Sequence, residues 1–169
     1  EERARQMATT IEQHNAERRD ADRSITEEAL ALIEAAGEQE RFTTVVYKED
    51  WHKGVIGIVA SRLTETYYRP TLVFTRSGDR LAASARSVAG FDVYDALEAC
   101  SQFIEQFGGH KYAAGLTIVE SQLEAFKNRF EEVVAASIDK SSLAPTLAID
   151  GTVQLHEITP KLRRIVPQF

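Results

Sequence analysis

Cysteine is nearly absent from this 169-residue chain. Only Cys100 is present, so no internal disulfide framework exists, and a reducing cytoplasm is the expected compartment. Apolar runs are short, far below the roughly 20 residues that span a bilayer. No positively charged, apolar, cleavable leader opens the chain, and no membrane partner is expected. A positive charge excess is missing too. Against 26 Asp and Glu stand 20 Lys and Arg, a formal charge of −6, which excludes a uniformly basic nucleic-acid glove but not a local patch. No GxxxxGK[ST] occurs, and no G-x-G-x-x-G follows a strand pattern, so nucleotide loops of those kinds are not supported. His14, His52, His110 and His156 with one cysteine do not give zinc-ligand spacing.

The remaining composition is globular: 43% hydrophobic and 27% charged, enough to bury a core. Charge is uneven. Residues 51–111 carry seven cations and six anions, while the flanks are strongly acidic. An anionic ligand is therefore sought in the middle.

Residues 1–36 hold neither Gly nor Pro and read as helix, with Gly37 as its stop. Up to Arg23 only Met7 and Ile11 are large and apolar, which suits a helix bridging two domains. Ser24 with Glu27 reads as a capping box, opening a second stretch with Ile25, Ala29, Leu32 and Ile33 at helical spacing. Phe42–Tyr47 reads as a strand and Val55–Tyr67 as a buried helix, in which Gly57 and Ala60 permit close backbone approach. Pro70–Thr75 and Arg80–Val88 read as a hairpin around Ser77-Gly78-Asp79. Asp92 caps a helix predicted over Val93–Phe107 and ended by Gly108-Gly109, with Cys100 as a small core residue inside it. Leu116–Val119 is a short strand, and Ser121 with Glu124 opens a helix over Gln122–Ser137. Residues 146–155 alternate as one strand, and Thr159-Pro160 starts a short helix. The fold class is α/β: a mixed sheet flanked by helices, preceded by a long linker helix. The expected units are 1–37, the linker helix; 38–140, the sheet domain; and 145–169, the cut edge of a further domain, too small to fold alone.

Three segments carry possible chemistry. Trp51-His52-Lys53-Gly54 joins a strand to a buried helix, where free amides, a glycine and a lysine suit an anion; the plainer reading is a tight turn with a packed Trp. Ser84-Ala85-Arg86-Ser87 sets two hydroxyls and a guanidinium within four residues, and Ser84 and Arg86 share a face if extended; the plainer reading is a polar, solvent-facing strand. Phe107-Gly108-Gly109-His110-Lys111 doubles a glycine where one would end a helix, and His110 follows as donor or proton carrier; the plainer reading is a helix-ending turn with a surface His.

Together, Trp51–Leu63, Arg69-Pro70, Ser84–Ser87, Gly90-Phe91-Asp92, Ala96-Leu97, Phe107–His110 and Ala113-Ala114-Gly115 resemble the DHH-associated domain of RecJ-type single-strand-specific exonucleases over about residues 42–134. Residues 15–34 resemble that family's helix between lobes, and residues 147–169 the start of its oligonucleotide-binding-fold domain. The resemblance implies a hydrolase that digests single-stranded DNA from the 5′ end in recombination and repair. It implies Mn²⁺ or Mg²⁺ held by an Asp-His-His lobe, a motif this sequence lacks, so the chain alone is expected to be inactive and to bind no metal itself. It further implies that Ser84 and Arg86 grip backbone phosphate. By the same resemblance His110, presented by Gly108 and Gly109, faces the scissile phosphate, with His52 and Gly54 supporting the same wall. Two alternatives remain: an oligoribonuclease or phosphoesterase of the same superfamily, and a stand-alone nucleic-acid-binding module like the related domain of alanyl-tRNA synthetases.

Overall fold

The computed structural model describes residues 2–147 and 149–168. Helix α1 runs unbroken over Glu2–Ala36. No Gly or Pro interrupts it, so Ser24 lies inside the helix and the expected capping box is not formed. Gly37 ends it at φ +63°. The Gly37 amide donates to Glu34 and the Glu38 amide to Ile33, the paired closure of a Schellman turn. Residues 2–20 are exposed throughout. The second half of α1 buries Ile25, Ala29 and Ile33.

The sheet contains β1 (Thr44–Tyr47), β2 (Thr71–Ser77), β3 (Arg80–Arg86), β4 (Gln106–His110) and β5 (Ala113–Ile118), in spatial order β1-β2-β3-β5-β4. Strands β1 and β2 are parallel, and helix α2 (Ile56–Tyr67) forms their crossover; the other pairings are antiparallel. A parallel pair requires such a crossover, whereas β2–β3 and β4–β5 close by tight turns.

Alternation along the strands gives the sheet two apolar faces. On one, Leu72, Phe74, Leu81, Ala83, Leu116 and Ile118 meet α3 (Val93–Glu98) and α4 (Leu123–Ser137). Phe126 packs edge-on to Phe74 and stacks on Phe130. On the other, Val46 and Val73 meet Val59, Ala60 and Leu63 of α2, with Ile25, Ala29 and Ile33 of α1 behind. Polar ties fix α1 to this layer. Asp22, itself buried, accepts from Arg62 at 2.7 Å, and Glu28 accepts from Lys48 at 2.7 Å and from the Trp51 indole at 2.9 Å.

Three expectations need correction. The helix from Val93 stops at Glu98; a 3-10 turn over Ser101–Phe103 follows, and Gly108-Gly109 lie within β4 rather than at a helix end. The Cys100 amide bonds Leu97 at 2.9 Å, tightening the chain so that its thiol enters the core. Helix α4 is led in by a 3-10 turn over Glu120–Gln122 and has no side-chain cap, so the Ser121–Glu124 box is not formed. Residues 146–155 form no strand among the described residues; Leu147, Ile149, Val153 and Leu155 are exposed, with no neighbour to pair. Ala148, within that stretch, and Glu1 and Phe169, at the outer bounds of the expected units, lie outside the described residues. Asp92 caps α3 as expected, accepting from the Tyr94 amide. Thr159 caps the short helix α5 (Pro160–Ile165) in the same way. No described helix is long and apolar enough to cross a membrane.

Cys100 gives a direct test of the core. Burial pushes its thiol pKa up to about 11. Native protein is expected to resist a chromogenic thiol reagent at about pH 8 and to react only on unfolding. Prompt stoichiometric labelling of the native chain would show the α3 end to be open.

Candidate nucleic-acid interface

Register builds the site. Arg86 pairs with Ala113, and Ala113 with His110, so Arg86, Ala113 and His110 form one row across β3, β5 and β4. Residues directly opposite share a face, and two strand spacings separate the ends of the row, roughly 10 Å. The next row on that face is Ser84, Gly115 and Gly108; the one after is Ala82, Thr117 and Gln106. Helix α2 lies over β1, β2 and β3 on this side. Beyond it Gly115, Gly108 and Gln106 are exposed. The result is an open groove of about 410 Å³, walled by Lys53 and Ile56 and floored by Ala82, Ser84, Gly108, Gly115 and Thr117.

Arg86 is half-buried, and among the described residues its guanidinium makes one hydrogen bond, to the adjacent Ala85 carbonyl at 2.8 Å. No carboxylate pairs with it among the described residues. Burial therefore pulls its pKa below the usual arginine value. Its neighbours behave in the opposite way. Asp22 raises Arg62, Glu120 raises Arg76, and Glu105 raises Arg80. In a chain of net charge −6, a desolvated guanidinium that among the described residues has neither a carboxylate nor a full set of oxygens around its fork marks a place that gains from an incoming anion. Gly57 makes room for it: a Cβ there would stand 3.0 Å from Arg86 Nη2 and 3.4 Å from Ser84 Oγ. The Ser84 hydroxyl has no hydrogen-bond partner among the described residues.

His110 is exposed, and its Nδ1 accepts from the Tyr112 amide at 3.3 Å. The neutral ring then carries its proton on Nε2, a donor available to a phosphate oxygen. His52 makes the same turn with the Gly54 amide at 3.1 Å. The structure does not bring His52 and Gly54 to the sheet groove. They line a second groove, of about 510 Å³, with His14, Arg18 and Ala21 of α1. The lysine between them, Lys53, is the residue that reaches the sheet groove. Of the sheet residues, Ser84 and Gly108 line the groove, and Arg86 and His110 share its face one row farther along β3 and β4; Gly109, in one row with Ala114 and Ala85, falls on the opposite face. Gln106 and Thr117 were missed, because their place on this face follows only from the β4–β5 pairing. Among the described residues, no three of His, Cys, Asp and Glu gather to hold a metal, so the donor set does not fit a divalent centre.

The fold has counterparts among known proteins. The model of the DHHA1 domain matches residues 40–136. The single-stranded-DNA-specific exonuclease RecJ of Dickeya dadantii is 37% identical over 165 residues, covering 92% of this chain and 28% of the relative. That of Escherichia coli is 34% identical, covering 96% of this chain and 30% of the relative. The chain thus spans under a third of the length of these relatives. Among solved structures, RecJ from Thermus thermophilus in complex with Mg²⁺ superposes with a TM-score of 0.64 at 30% identity, covering 74% of this chain and 19% of that one. An exonuclease RecJ bound to manganese gives 0.65 at 30% identity, covering 74% and 30%. The chain belongs to the DHHA1 domain family, in the form that RecJ exonucleases carry.

Proposed function

We propose that this chain is the substrate-holding part of a 5′→3′ single-stranded-DNA exonuclease acting in recombination and repair. The observation that carries the reading is Arg86: half-buried, without a carboxylate, and in one row with His110 on an open sheet face. Arg86 and Ser84 hold a backbone phosphate, the guanidinium by its paired N–H groups and the hydroxyl as a rotating donor. Gly108 and Gly115 let the sugar–phosphate chain lie against the sheet backbone. His110 donates from Nε2 to the phosphate being cleaved. Metal-assisted hydrolysis belongs, on this reading, to residues outside this chain, which by itself is inactive. The exposed alternation of Leu147, Ile149, Val153 and Leu155 fits a strand that pairs with a following oligonucleotide-binding domain.

The test is salt-dependent binding of 5′-phosphorylated single strands by the full-length protein. Arg86→Ala is expected to lower affinity about tenfold on every sequence and to flatten the salt slope by about 0.7, the value for one phosphate contact on a single strand. An unchanged slope would remove Arg86 from phosphate binding. His110→Ala is expected to lower turnover while leaving affinity within about twofold; a loss of affinity alone would place it away from the reacting phosphate.

A further inference from the structure

We infer that the sheet groove has a second anion-holding end, formed by Lys53 with Gln106 and Thr117, which makes it a track for at least three successive nucleotides. The inference rests on the nucleic-acid reading of Arg86 and extends it along the same face. The three rows from Arg86 through Ser84 to Ala82 are each two residues apart on β3. That is roughly 6.7 Å per step and about 13 Å in all. One extended sugar–phosphate repeat is of the same length as one step. The far row ends in two polar side chains on adjacent strands, Thr117 and Gln106, and neither has a side-chain hydrogen-bond partner among the described residues. Lys53 overhangs that end. Its ammonium meets the Ser77 hydroxyl at 3.1 Å and, among the described residues, no carboxylate. Lys53 and Gln106 are both exposed, so neither is needed for packing.

Chemistry separates the two ends. Arg86 is desolvated, forked and fixed beside Gly57, which suits one phosphate held in one orientation. Lys53 is a flexible point charge beside an amide and a hydroxyl, which suits a further phosphate whose sugar and base vary. The row between them is Ser84, Gly115 and Gly108, small residues that leave room for a sugar–phosphate chain. The track therefore measures backbone length.

Binding of 5′-phosphorylated oligothymidylates from one to five nucleotides to the full-length protein tests this, with the wild type, Lys53→Ala, Gln106→Ala and Arg86→Ala compared. For wild type, affinity is expected to rise with each added nucleotide up to three. Lys53→Ala is expected to weaken strands of three or more roughly fivefold, to leave the mononucleotide unchanged, and to flatten the salt slope by about 0.7 for the longer strands only. Gln106→Ala follows the same length pattern with a smaller effect. Equal loss at every length, or no loss at any length while Arg86→Ala weakens all of them, overturns the second end and leaves the first intact. If Arg86→Ala also changes nothing, the nucleic-acid reading itself falls.

Discussion

Replacing Gly109 by alanine is expected to break the β4–β5 hairpin, while the same change at Gly108 leaves the fold standing. The two glycines are adjacent in β4 but serve different needs. Gly109 has φ +151°, a region that L side chains rarely adopt. A Cβ at that position would also press on the Ala113 carbonyl, stand 2.5 Å from Ala114 Cα and 2.8 Å from Ala114 Cβ. These are backbone and near-backbone atoms of the paired strand and cannot swing aside. Strain and overlap together are expected to cost about 4 kcal/mol, a fall in melting temperature of about 12 °C for a chain of this size. At Gly108 a Cβ would meet nothing within 4 Å. Its alanine variant should melt within about 2 °C of wild type, yet its methyl group stands on the groove floor opposite Gly115, where it should weaken single-strand binding. Circular-dichroism melting of the two variants decides the matter. If both melt like wild type, Gly109 is not the constrained position. If both collapse, the openness of Gly108 is wrong.

That contrast shows why the strand was illegible beforehand. Val93, Ala96, Leu97, Cys100 and Ile104 recur at three and four residues, the signature of a helix, and a glycine pair is the ordinary way to end one. Strand β4 has five residues, two of them glycine, and little intrinsic strand preference. It exists because β5 offers a ladder, and no local pattern announces a tertiary partner. The reverse error occurs at residues 146–155, where alternation is present and a neighbour is not. Local signals with their own hydrogen bonds were readable: the Gly37 turn, the Asp92 cap and the Thr159-Pro160 start. The site divides along the same line. Ser84 and Arg86 share a face by strand alternation alone, whereas bringing His110 into the row of Arg86 needs the order β3-β5-β4. Likewise Lys53 and His52 are neighbours in sequence yet line different grooves, because the turn before α2 sends successive side chains to opposite sides of the helix entrance.

Arg69 carries the second large expected effect, and it shows that a cation in the central segment need not await an anion. It is 3% exposed. Its Nε donates to the Thr44 hydroxyl at 2.7 Å, Nη1 to the Gln39 and Arg41 carbonyls at 2.7 and 2.5 Å, and Nη2 to the Glu38 carbonyl at 2.9 Å. Burial lowers its pKa, as at Arg86, but here fixed oxygens occupy the fork. The guanidinium thereby folds residues 38–41 back from the end of α1 onto the start of β1. The same turn is held from the other side by Glu131 of α4, which accepts from the Phe42 and Thr43 amides. Arg69→Met keeps much of the volume but leaves three part-buried carbonyls without their donor, each at about 1–3 kcal/mol. A total near 4 kcal/mol and a drop of about 12 °C in melting temperature are expected. Arg69→Lys should recover little, because one ammonium cannot span donors arranged as a planar fork. Single-strand affinity, measured well below the lowered melting point, should stay within about twofold of wild type, since Arg69 faces the 38–41 turn and the start of β1 and does not line the sheet groove. A stable Arg69→Met variant that loses affinity as Arg86→Ala does would instead make Arg69 part of the binding surface.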